Sequence, residues 1–236
     1  MFSLQSFERR VDIMSHLVKV DHVTYACAKG MIEKWAWFHT EVEGGKLVTR
    51  IDDVDPTNPR SSMKLWCIDY GSFGIALVEG IDREEKSQVT LFAERHGDHS
   101  IQHVAYDTHN LDKFTQRLQE YGCHPLGEPI SKRDSFGLLK QLFCRGYSQL
   151  SPAENSFAEY VQRPKSVQDE LEVTFSQKAG KGFYRQIEEA MDQGMQTSFT
   201  SFTKMPSNWQ PAIAEQPASA ARIVEKAVDA NLAISR

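Results

Sequence analysis

Two stretches of this chain, Val20-Asp21-His22-Val23-Thr24-Tyr25 and Ile101-Gln102-His103-Val104-Ala105-Tyr106, share the form x-x-His-Val-x-Tyr and stand 81 residues apart. Each alternates as a strand does, and the residues after each also match in pattern. After the first comes Met31-Ile32-Glu33-Lys34-Trp35-Ala36-Trp37-Phe38-His39, apolar at helical spacing and stopped near Gly44-Gly45. After the second, Leu111, Phe114, Leu118 and Tyr121 fall on one helical face, with Asn110 as the predicted N-cap and Gly122 as the stop. Three further strands complete each unit, over 47–51, 64–69 and 73–80 in the first and 126–131, 138–144 and 157–162 in the second, with Tyr70-Gly71-Ser72 as a hairpin turn. A duplication of this kind restricts the chain to few architectures. The expected fold is α+β: two tandem βαβββ modules, 18–85 and 99–165, forming a cupped mixed sheet.

The remaining chain divides into an N-terminal segment over 1–17, a helix over 182–194 within a segment 166–195, and a tail over 196–236. That tail reads as a polar Ser/Thr/Pro-rich linker up to Pro217, then a last helix over 218–233.

The repeat carries chemistry. It places His22 and His103 at equivalent positions, and nearly does the same for Glu79 and Glu159, which are 80 apart. A single histidine in an apolar strand is ordinarily a hydrogen-bonded core residue. Two at one position of a duplicated unit, with a carboxylate in Phe157-Ala158-Glu159-Tyr160-Val161, are hard to explain as packing, because a buried glutamate is costly unless paired or ligating. His22, His103 and Glu159 are therefore the candidate metal ligands. Two imidazoles and one carboxylate leave three coordination positions open, the arrangement that suits iron(II) and dioxygen chemistry. Glu79 is either a fourth ligand by symmetry or a strand-end residue in solvent, with the latter slightly favoured. His16, His39, His96, His99, His109 and His124 read as surface, loop or helix-end residues.

Other features limit the alternatives. Lys and Arg are scattered and the net charge is -5, so no nucleic-acid surface is expected. No apolar run approaches the ~20 residues needed to cross a bilayer, and no signal core precedes Asp12, so a cytoplasmic protein without a membrane partner is expected. Cys27, Cys67, Cys123 and Cys144 form no C-x-x-C pair and read as buried free thiols.

Four segments together are more specific than any one of them: Lys86-Ser87-Gln88, Ile101-Gln102-His103-Val104-Ala105, Leu138-Leu139-Lys140-Gln141-Leu142-Phe143 and Phe157-Ala158-Glu159-Tyr160-Val161-Gln162-Arg163. In this order they resemble the 4-hydroxyphenylpyruvate dioxygenase family, of the vicinal oxygen chelate superfamily, over about residues 18–192, the catalytic C-terminal half of that family. The resemblance implies iron(II) held by His22, His103 and Glu159, with dioxygen as co-substrate and a 2-oxo acid such as 4-hydroxyphenylpyruvate as substrate, oxidatively decarboxylated and hydroxylated. It implies roles near the oxo-acid for Gln102 and Gln141 and substrate contacts for Gln88, Phe143 and Phe157. It also implies a pocket-closing helix after the glycine-rich lead-in Ala179-Gly180-Lys181-Gly182-Phe183, with Phe183 turned inward. Three departures concern the far end of the pocket: Val78 stands where the family usually has Asn, Met63, next to Ser62, stands near the family's pocket Ser, and the glycine-rich entry is one residue shorter. The family's N-terminal half has no counterpart here, and a homodimer would cover the surface that half covers. Two rivals stay open: a four-ligand metal lyase or isomerase of the same superfamily, and a non-catalytic small-molecule binding protein.

Overall fold

Both predicted modules form, and they join through their first strands. The structure is a computed structural model describing residues 16–134, 137–147, 155–164, 175–194, 199, 200, 202–205, 207, 209–211, 213 and 214. In chain order the elements are β1 (Leu17–Cys27), α1 (Ile32–Trp37) widening into a π turn (Phe38–Val42), β2 (Lys46–Ile51), β3 (Ser61–Asp69), β4 (Gly74–Asp82) and α2 (Gln88–His96). The second module continues as β5 (Ser100–Thr108), α3 (Leu111–Glu120), β6 (Ile130–Asp134), β7 (Gly137–Gly146) and β8 (Phe157–Gln162), after which comes α4 (Gln177–Asp192). One mixed sheet runs β2-β3-β4-β1-β5-β8-β7-β6. At its centre β1 and β5 pair antiparallel, and each is flanked by a parallel partner, β4 or β8. Local signals hold where expected: the Asn110 side chain accepts from Lys113 N at the start of α3, and Gly71 takes the positive φ of +84° that the β3–β4 turn requires.

Alternation along the strands divides the apolar residues between two faces. On the outer face, Ile32 and Ala36 of α1 cover Trp66, Ile68, Ile75 and Leu77. Leu111, Phe114 and Leu118 of α3 cover Leu142, Cys144, Ala158 and Tyr160. On the cupped inner face, Met63, Leu65, Cys67, Ala76, Val78, Phe143 and Phe157 pack against Phe92 of α2 and Ala179, Phe183, Tyr184 and Ile187 of α4. Each large side chain fully buried there contributes about 1.5–3 kcal/mol. Cys27, Cys67 and Cys144 are buried and Cys123 half-buried, all as free thiols. Among the described residues no helix is long and apolar enough to cross a membrane.

Two expectations about the C-terminal region need correction. The helix expected over 182–194 begins at Gln177, with the Ser176 hydroxyl accepting from Ala179 N, so the glycine-rich lead-in is its opening turns. Gly180 serves close approach instead of a helix start: a Cβ there would lie 3.0 Å from Leu65 Cδ2 and 3.1 Å from Val54 Cγ1. The tail expected to be an exposed linker from residue 196 is docked at its start. Phe199 is buried beside Leu118 and Tyr160, its N–H donates to Gly146 O (2.8 Å), and Thr200 bridges Cys123. Polar neighbours hide that one anchoring ring in the sequence. Residues 1–15, the helix expected over 218–233, the whole of the stretch 166–174 and most of the loop over 145–156 lie outside the described residues.

Salt links fasten α4 to the first module. The buried Asp55 carboxylate accepts from Lys181 Nζ and Arg185 Nε, both at 2.7 Å. Burial alone would raise the pKa of Asp55, but these cations and the Thr57 hydroxyl hold it at about 2 against an ordinary 3.8. A carboxylate depressed on folding stabilises fully above its unfolded pKa and ceases to do so as pH falls through the folded value. The wild-type urea midpoint is therefore expected to drop between pH 4 and pH 2 more than that of Asp55→Asn; equal drops would mean that Asp55 does not carry this dependence.

Candidate metal centre

Each predicted histidine comes directly after a break in the sheet. Along the β1–β5 ladder, Val20 pairs with Tyr106 but His22 with Ala105, and Thr24 pairs with His103 but Tyr25 with Ile101. Asp21 and Gln102 are thus extra residues without a strand partner, 81 positions apart and immediately before His22 and His103. A bulge re-aims the neighbouring side chains and sharpens the local twist. Both bulged residues are buried, Asp21 at 2% and Gln102 at 0% exposure.

The three candidate ligands converge. Glu159 Oε2 lies 3.4 Å from His22 Nε2 and 3.2 Å from His103 Nε2, and the three donor atoms all fall within 4.8 Å of one another. Ligands at right angles around a metal ~2.1 Å away are themselves ~3 Å apart, so this spacing and the N,N,O donor set fit a single divalent ion. Surrounding groups orient the trio. Gln141 Nε2 donates to Glu159 Oε1 (2.8 Å), leaving Oε2 to face the histidines. Phe157 stacks on the His103 ring at 4.8 Å, while the Thr24 hydroxyl is hydrogen-bonded to His103 Nε2 (2.8 Å), the atom a metal would take, so that bond would give way on metal binding. His22 Nδ1 donates to Asp21 Oδ1 (2.7 Å), and Arg163 grips the two oxygens of Asp21 from Nε (2.6 Å) and Nη2 (2.8 Å). A hydrogen bond of this kind fixes the tautomer that presents Nε2 to a metal.

Electrostatics suit a cation. Burial opposes charge on His22, yet the Glu159 charge and the Asp21 hydrogen bond push its pKa up to about 9. Burial likewise opposes charge on Glu159, but the two histidines hold it down to about 2. Burial would raise Asp21, while Arg163 and His22 hold it below the ordinary carboxylate range. Burial lowers His103. The site thus keeps an ionised carboxylate and a proton on His22, and a metal ion binding there would displace that proton.

The trio opens onto a narrow cavity between the inner sheet face and α4. Gln141, Phe143, Phe183 and Val78, all singled out from the sequence, line it. Phe157 does not line it and touches the site through its stack on the His103 ring. Gln88 and Gln102 are not on the wall either: both are buried, and Gln102 Nε2 donates to Gln88 Oε1 (3.1 Å). Gln88 Nε2, Gln102 Oε1 and Gln141 Oε1 have no hydrogen-bond partner among the described residues. Asp21, Thr24, Arg163 and Phe175 join the site without any pattern in the sequence that marks them, apart from the Asp-His step of the first strand for Asp21. Arg163 is 142 residues from Asp21, and no local pattern links them. Phe175, whose ring meets His22 at 5.0 Å, lies in a stretch without periodicity.

Three sequence readings are revised by the side chains. Glu79 is neither a ligand nor solvated: it is 3% exposed, and its carboxylate accepts from Met31 N (2.9 Å), Ile32 N (3.0 Å) and Lys64 Nζ (2.7 Å). Odd positions of β4 face α1, so Ala76 and Val78 are the residues of β4 that face the cavity. The 80-residue spacing, against 81 for the histidines, already put Glu79 one step out of phase, and one step on a strand reverses the face. His39 is buried, bonded through Nδ1 to Glu43 (2.7 Å) and through Nε2 to His99 Nε2 (2.9 Å). His99 is stacked between Trp35 (3.9 Å) and Tyr25 (4.1 Å). Met63 is buried in the inner core, while the Ser62 hydroxyl donates to Asp53 (2.6 Å).

No protein-family profile matches the chain. It is 25% identical over 118 residues to the hemolysin VllY of Vibrio vulnificus, which covers 50% of this chain and 32% of that protein. Among solved structures it is similar to an engineered variant of 4-hydroxymandelate synthase from Streptomyces coelicolor, with a TM-score of 0.57, 18% identity, and coverage of 73% of this chain and 55% of that one. It also matches methylmalonyl-CoA epimerase from Mycobacterium tuberculosis, with a TM-score of 0.47, 21% identity, and coverage of 66% and 94%. The chain therefore spans about a third of the hemolysin and about half of the synthase. The likeness to the synthase shows the fold, a curled mixed half-barrel of the vicinal oxygen chelate type.

Proposed function

We propose that this chain is an iron(II)-dependent dioxygenase that oxidatively decarboxylates a 2-oxo acid and hydroxylates the same molecule. The observation that carries this reading is the three-ligand set at 3.2 and 3.4 Å with only apolar side chains, Ala76 and Val78, where β4 reaches the cavity. A lyase or isomerase with four protein ligands needs a donor there, and Glu79 is turned away and engaged elsewhere. The resemblance in the four sequence segments, and the fold shared with a 4-hydroxymandelate synthase, support the same direction.

In the overall reaction one atom of dioxygen enters the new carboxylate as the terminal carbon leaves as carbon dioxide, and the other enters a C–H bond of the side chain. Two of the four electrons come from the C–C bond that breaks and two from the C–H bond. Iron(II), which His22, His103 and Glu159 would hold, would supply a Lewis-acidic centre for the 2-oxo acid and the redox capacity for dioxygen. The protein does the rest. Asp21, backed by Arg163, keeps the His22 proton on Nδ1. Gln141 holds Glu159 through its amide nitrogen and has its amide oxygen left for a further partner. Phe143 and Phe183, 4.6 Å apart, position the side chain of the substrate, and α4 excludes water.

The test is anaerobic addition of a 2-oxo acid panel to the iron(II)-loaded protein, followed by oxygen. A visible charge-transfer band with at least one compound, and carbon dioxide released one for one with oxygen consumed, is expected. Turnover that proceeds without oxygen on another divalent metal would replace this reading with a lyase or isomerase.

A further inference from the structure

Polar groups on the cavity wall are confined to one place. Among the described residues they are the metal trio, Thr24 and Gln141. Thr24 and Gln141 are each within 2.8 Å of a member of the trio. The other described residues of the wall are apolar: Leu65, Ala76, Val78, Ala179 and Gly180, with the aromatic rings of Phe143, Phe175 and Phe183. Behind it lie Met63 and Val54, both fully buried in the same apolar cluster.

The nearby hydroxyls on β3, α2 and α4 are already engaged. Ser61 Oγ donates to Glu188 (2.9 Å) and receives the Tyr184 hydroxyl (2.7 Å), which is also 3.0 Å from Ser87 Oγ. Ser62 Oγ donates to Asp53 and accepts from Asp55 N (3.1 Å). Of the buried amides with a spare atom, Gln88 and Gln102 are off the wall, and Gln141, whose Oε1 has no partner among the described residues, is on it beside Glu159 at the metal end. The cavity is also small, with α4 packed close against its wall. The absence of a side chain at Gly180 lets α4 approach Leu65 and Val54 this closely.

From this wall we infer that the substrate is a 2-oxo acid whose side chain is wholly apolar, an alkyl or unsubstituted phenyl group, and that a ring hydroxyl is selected against. The inference rests on the 2-oxo acid dioxygenase reading and adds what the far end of the site recognises. A hydroxyl brought into contact with Leu65, Val78 and Ala179 gives up water and gains no partner, an effect of roughly ten- to hundred-fold in affinity. Removing the hydroxyl keeps the shape of the ring and abolishes that penalty.

The matched pair phenylpyruvate and 4-hydroxyphenylpyruvate isolates this effect, with 4-methyl-2-oxopentanoate as the alkyl member. Binding is measured anaerobically by calorimetry on the iron(II) protein and on its cobalt(II) form, so that the readout does not depend on turnover. Phenylpyruvate or the alkyl acid is expected to bind at least ten-fold more tightly than the hydroxylated compound. Val78→Thr, which keeps the side-chain shape and adds one hydroxyl, is expected to narrow that ratio several-fold. Equal or tighter binding of 4-hydroxyphenylpyruvate to the unaltered protein would overturn the inference and leave the dioxygenase reading standing. Binding of none of the three, with the metal in place, would overturn both.

Discussion

Replacing Glu159 with alanine is expected to remove the metal and the activity together. The carboxylate is the anionic member of the trio, and its Oε2 is the point on which both Nε2 atoms converge. Without it two neutral imidazoles remain in an apolar cavity, and iron(II) affinity is expected to fall by more than the ~10–100-fold typical of losing an outer-shell partner. Metal content after dialysis and turnover with the best 2-oxo acid give the two readouts. Glu79→Ala is the informative contrast, because the sequence alone left Glu79 as a candidate ligand. Its loss strands the Ile32 N–H at the start of α1 and leaves the half-buried Lys64 ammonium without its partner, while Met31 N keeps Ala28 O, at a cost of about 1–3 kcal/mol in chemical denaturation. Its metal content should stay at the level of the unaltered protein. Iron retained by Glu159→Ala, or lost from Glu79→Ala, would mean that the ligand set is assigned to the wrong carboxylate.

Phe183→Ala is expected to have the largest effect on stability and to alter the chemistry as well. The ring is 6% exposed, 4.6 Å from Phe143 and 5.3 Å from the ring of His103, and it joins α4 to the inner sheet face. Deleting it leaves a cavity beside the trio and should cost about 3–5 kcal/mol in equilibrium unfolding. Water then reaches the reacting atoms, so more oxygen should be consumed per hydroxylated product than in the unaltered protein. Phe183→Leu refills most of the volume and should recover most of both losses. A stability change under ~1 kcal/mol for Phe183→Ala would show that α4 does not close over the site through this residue.

Much of this site is legible along the chain because a duplicated strand repeats its neighbours. The x-x-His-Val-x-Tyr repeat placed His22 and His103 together, and the apolar run around Glu159 marked a carboxylate that needs a partner. The fate of Glu79 was not legible, since spacings of 80 and 81 look alike on paper and place side chains on opposite faces of a sheet. The glycines at 180 and 182 pointed to the right region and to the wrong structural role. A short side chain serves a turn and a tight helix contact equally well, and only Leu65 and Val54 across the gap distinguish them. Phe199 was lost among polar neighbours for the same reason: its packing partners, Leu118 and Tyr160, are distant in sequence.

The sequence by itself determined the two-module sheet, the trio at its centre and the apolar faces that bury it, because each is written in a local period or an internal repeat. Only the tertiary structure decided that Asp21 and Gln102 leave the ladder, that Arg163 reaches Asp21 across 142 residues, and that, among the described residues, hydrocarbon faces the far end of the cavity. Those features depend on the register of one strand against another and on side chains meeting through space. Such quantities exist only once the chain has closed on itself.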